Sequence, residues 1–134
     1  MNFEKGKIYL FNDTTSLNLK DLKSFLDDKG FNLGILNFPE DYSIKVNSFY
    51  ERLENNAIID LGNEIENIIK EKLLLEDADY SEKMFLTIYY LLKEKNIVIV
   101  NTAGMSFESI DYLKKIFPYI VSYLNKVLII YSNN

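Results

Sequence analysis

The chain has 134 residues, 48% of them hydrophobic and 26% charged, and fifteen Lys and Arg against twenty Asp and Glu leave a formal charge of −5. That is the size and composition of one globular domain able to bury a core of its own. Cys, His and Trp are all absent, which excludes a disulfide framework, a Cys/His zinc site, a cysteine nucleophile and any triad or general base built on histidine.

The first segment, Met1 to Phe11, lacks a basic stretch followed by a long apolar one, so no signal peptide is expected. No apolar run reaches the length of a membrane span, and the expectation is a soluble cytoplasmic protein. The acidic balance argues against a broad nucleic-acid surface. No linker, repeat or low-complexity tract divides the chain, so residues 1–134 read as a single domain.

Lys7 to Phe11 is a β-branched and aromatic run and predicts a strand, followed by turn chemistry at Asn12 to Thr15. Asn18 is placed to cap a helix, with Asp21 in its first turn and Leu19, Leu22, Phe25 and Leu26 as its apolar stripe. Asp27 to Gly30 ends it, with Gly30 as C-cap. Asn32 to Phe38 predicts a second strand, Pro39 to Asp41 a loop, and helical stretches follow over about Ile44 to Asn55 and Ala57 to Leu75.

Glu76 to Tyr80 is an acidic break, after which Ser81 caps a helix running to about Lys95. From Met84 to Leu92 that helix is apolar nearly all round, which requires cover on several sides. Asn96 to Asn101 (NIVIVN) is the continuous apolar run of a central parallel strand. Ser106 caps a helix with the stripe Phe107, Ile110, Leu113 and Phe117, and Pro118 is expected to kink or break it. Val127 to Tyr131 is the last strand. Strands separated by helices imply an α/β domain, a mostly parallel sheet of about four strands with covering helices. Functional loops in such sheets leave the carboxyl ends of the strands, here at Asn12, Phe38, Asn101 and Ser132.

Those loops hold little chemistry. Phe11 to Leu17, where a phosphate-binding loop would lie, has neither Gly nor Lys, and Asp13 repels phosphate. Asp77, Asp79 and Ser81 have the spacing of the first calcium-loop ligands, but Glu82 stands where the turn needs Gly and Ile88 where the loop needs Glu. Anionic capping of the following helix is the simpler role. Asn101 and Thr102 follow the most buried strand without a carboxylate, and the simplest reading is a strand-end turn closed by Gly104 with Ser106 as N-cap. Ten Tyr and nine Phe lie at helix and strand spacing among aliphatics, which makes core packing their default, and Lys114 and Lys115 read as a solvated face.

Taken in order, the segments resemble the nucleotide-binding domain of ABC-type ATPases without its catalytic residues. Phe3, Gly6, Ile8 and Tyr9 look like the "F-x-x-G-x-I-Y" strand that leads into a Walker A loop, and Leu33 to Asp41 like the Q-loop strand, with Asn37 or Phe38 near the position of Gln. Tyr80 to Lys83 resembles the signature motif with its glycine pair missing. Leu91 to Val100 resembles the approach to Walker B, where Asn101 replaces the Asp and Thr102 the catalytic Glu. Gly104 to Ile110 is similar to the segment that carries the D-loop, and Tyr131 to Asn133 to the switch, with Asn133 in place of His.

The resemblance implies a reduced P-loop-NTPase-like core that has lost hydrolysis. It makes Asp13, Thr14, Thr15, Asn37, Ser81, Asn101, Thr102, Ser106 and Asn133 a remnant nucleotide face with no catalytic, cofactor or metal-binding residue. The function implied is a non-catalytic accessory or regulatory subunit in transport or self-immunity. Its partner would be an intact ABC ATPase subunit, a permease or a second copy, with no insertion into the membrane. An alternative shares the same degenerate scaffold: the ring-forming DNA-end-binding subunit of type II-A CRISPR adaptation, whose late strand also resembles "IVIVN". The chain is short for that family, and its charge of −5 counts against DNA.

Overall fold

The computed structural model describes residues 2–12, 18–37, 80–103 and 105–132. They form, in chain order, β1 (Lys7–Asn12), α1 (Leu19–Asp28), β2 (Leu33–Asn37), α2 (Tyr80–Glu94), β3 (Ile97–Asn101), α3 (Phe107–Leu124) and β4 (Val127–Ser132). The helical stretches expected over Ile44 to Leu75 lie outside these residues. All described pairings are parallel, and the sheet order is β1-β4-β3-β2, so β3 and β4 are the central strands.

The sheet separates two cores, and side chains alternate between them as a two-residue period requires. Ile97, Ile99, Val127, Ile129 and Tyr131 meet Leu22 and Leu26 of α1 on one face. Val98, Val100, Leu128 and Ile130 meet α2 and α3 on the other. The first connection carries the chain from β1 to β2 at the opposite edge, and the later ones bring it back through β3 to β4. Connections of a single hand that run in opposite directions must lie on opposite faces. Hence, among the described helices, α1 lies on one side and α2 and α3 share the other.

The ends of α1 follow local chemistry. Asn18 accepts a hydrogen bond from the Asp21 N–H at 2.8 Å, satisfying a donor the helix cannot use itself. At the other end the cap residue is Lys29, one before the expected Gly30. Gly30 follows at φ +78°, and the N–H of Phe31 reaches Leu26. A left-handed residue just past the cap is where glycine avoids the Cβ penalty.

In α2, Phe85, Thr87, Ile88, Tyr89, Leu91 and Leu92 are all buried, as its apolar circumference demands. Tyr80 is already helical, so Ser81 lies inside the helix and is not its N-cap. Gly34 lets α2 lie close on β2: a Cβ there would sit 3.0 Å from Leu91 Cγ and Lys95 Cγ.

Three expectations for α3 are corrected. Pro118 does not break the helix, which runs on to Leu124. Pro118 is on the exposed side, where water can serve the carbonyl that loses its donor. Phe107 is 89% exposed and outside the stripe, which instead continues through Ile120 and Val121. It is the first helical residue, a turn before the half-buried Ile110. Tyr119 and Tyr123, 71% and 55% exposed, are one turn apart on the side away from Leu113 and Phe117 and are not core residues. Tyr9, Tyr89 and Tyr131 do pack inside. Asn125 closes the helix at φ +57°, with Lys126 N–H bonded to Val121 O at 3.0 Å.

Candidate functional site

Each strand ends in a small, neutral, polar residue: Asn12 on β1, Ser132 on β4, Asn101 on β3 and Asn37 on β2. The registers set Asn12 beside Ser132, Asn101 beside Tyr131 and Asn37 beside Asn101, so these residues form a row along the carboxyl edge. The chain leaves β1 toward α1 on one face and β3 toward α3 on the other. In open α/β sheets, loops that part in this way leave the crevice where ligands bind.

The centre of the row is an amide pair. Asn101 Nδ2 donates to Asn37 Oδ1 at 3.3 Å, and Asn101 Oδ1 accepts the Ala103 N–H at 3.2 Å. Asn101 therefore ties the ends of β3 and β2 together and also forms the turn that follows. Thr102 is 4% exposed and turned into the sheet. Its Oγ1 and its N–H both donate to the Tyr131 carbonyl at 2.9 Å, prolonging the β3–β4 ladder by one residue. Met105 N–H donates to Thr102 O at 2.9 Å and closes the turn. Ser106 then caps α3: Oγ accepts the Ser109 N–H at 3.1 Å and lies 2.9 Å from Ser109 Oγ.

Of the nine remnant positions, the structure joins Asn37 to Asn101 and sets Thr102 next to them, with Ser106 at the head of α3. Ser81 lies in α2. Asp13, Thr14, Thr15 and Asn133 fall outside the described residues, as do Asp77 and Asp79 of the calcium-like spacing. Among the described residues, no group of three or more Asp and Glu is placed to hold a metal ion. No described helix is long and apolar enough to cross a membrane.

The segment resembling "F-x-x-G-x-I-Y" has structural work. Phe3 packs edge-on against Tyr9, with ring centroids 4.9 Å apart, and Tyr9 Oη accepts the Glu4 N–H at 2.7 Å. Gly6, at φ +85°, turns the chain so that its N–H reaches Lys126 O at 2.7 Å. Lys115, on the solvated face of α3, donates to Asp111 at 2.9 Å, and this hydrogen bond raises its pKa. Sequence reasoning missed the Asn37–Asn101 link. Its signal is the matching pair of aliphatic runs, NLGILN and NIVIVN, each closing in Asn.

Architecture and sheet order define an α/β protein with a four-stranded parallel sheet between two helical layers. No protein-family model matches the chain, and no curated protein matches it significantly in sequence. Among solved structures it is similar to a chain of a protein assigned as a metal-chelate type ABC transporter in an inward-facing conformation, with a TM-score of 0.57 and 10% identity. The match covers 98% of this chain and 64% of the other, so this protein spans less than two thirds of that chain's length. At that identity the likeness is one of fold.

Proposed function

We propose that the protein is a non-catalytic relative of ABC nucleotide-binding domains, an accessory or regulatory subunit that acts by pairing with another protein in transport or self-immunity. One observation carries the reading: the carboxyl end of β3 holds neutral Asn101 and Thr102, both engaged in hydrogen bonds, where ABC-type hydrolysis uses ionised carboxylates. Magnesium and its bound water favour carboxylate and phosphate oxygens, and a carboxamide is no base at neutral pH. Asn101 already uses both ends of its amide, and Thr102 is turned away from the crevice. The fold shared with a transporter chain supports the choice of scaffold.

The test has two arms. Calorimetric titration with Mg-ATP, together with phosphate release, should give no heat of binding and no turnover above the buffer rate. Micromolar ATP binding that is lost in Asp13→Ala or Thr15→Ala would overturn the non-catalytic reading. A tagged pull-down from native cytoplasm, with and without nuclease, should retain an intact ABC ATPase subunit or a permease regardless of nuclease. Recovery only of DNA-dependent partners, with salt-sensitive binding to duplex ends, would favour the adaptation-type alternative.

A further inference from the structure

We draw no further inference here: the strongest candidate, the exposed aromatic pair Tyr119 and Tyr123 one turn apart on α3, is an unpartnered apolar patch and nothing in the structure shows what covers it.

Discussion

The two ends of the sheet are held together by different means. At the amino end the links are largely main-chain. Gly6 N–H donates to Lys126 O, Val127 N–H to Asn96 O, and both Asn96 and Ile97 N–H to Asn32 O. The side chains that join in, Asn32 Nδ2 on Glu94 O and Lys126 Nζ on Asn96 Oδ1, are peripheral. At the carboxyl end, among the described residues, the main-chain links at Thr102 are joined by side-chain ones through Asn101, Asn37, Thr102 and Ser106. Main-chain links survive most substitutions, whereas side-chain links are rewritten by one. The end where α/β folds carry function is thus also the end where function is most easily gained or lost.

Substitutions can break or sharpen this contrast. The largest effect is expected from Tyr131→Ala, because its fully buried side chain packs with α1. We expect a loss of about 3–5 kcal/mol in urea unfolding, and a loss below about 1 kcal/mol would mean that the carboxyl end collapses to fill the gap. Next is Asn101→Leu, which removes the acceptor of the Ala103 N–H and one donor to Asn37 Oδ1 in a half-buried setting. It should cost roughly 1–3 kcal/mol and speed amide exchange at Ala103. Thr102→Val keeps the main-chain bond to Tyr131 and loses only the hydroxyl, so about 1 kcal/mol is expected.

At the amino end, Asn32→Ala and Asn96→Ala remove exposed side chains while every main-chain link stays, and each should shift stability by no more than about 0.5 kcal/mol. Equal losses at the two ends would erase the distinction. The smallest effect lies on α3, away from both ends. Asp111→Asn should bring the raised Lys115 pKa back toward lysine's ordinary 10.5, read by NMR titration of its side chain. A raised folded pKa gives stability that is present below the unfolded value and lost as pH climbs through the folded one. The wild-type and variant melting curves should therefore differ, slightly, at neutral pH and converge in strong alkali.

The fold was legible wherever a local pattern had one physical meaning. The aliphatic run of β3 could only be a strand covered on both faces, and Asn18 and Ser106, each followed by a periodic apolar stripe, could only be caps. Phe107 was misread because periodicity gives the direction a residue faces but not what lies beneath it. The break expected at Pro118 does not occur because the cost of a proline depends on whether water can reach the orphaned carbonyl, which is a tertiary fact. The strand ends of the candidate site were legible, since a parallel sheet exposes them at its carboxyl edge. The bond between Asn37 and Asn101 was not, because it depends on the register of two strands far apart in sequence.

The sheet order also dictates a sequence of assembly. β3 and β4 are joined through α3 alone and can pair early, but β1 finds its only described partner, β4, across almost the whole chain, Lys7 beside Val127. Loop-closure entropy makes such a contact late. The strand synthesised first of the four therefore spends the longest time without a neighbour, an open edge that could template aggregation. Glu4, Lys5 and Lys7 crowd charge onto its leading end, and Glu4 and Lys7 remain well exposed in the folded state, which is how an edge strand is kept from pairing with the wrong chain while it waits for the right one.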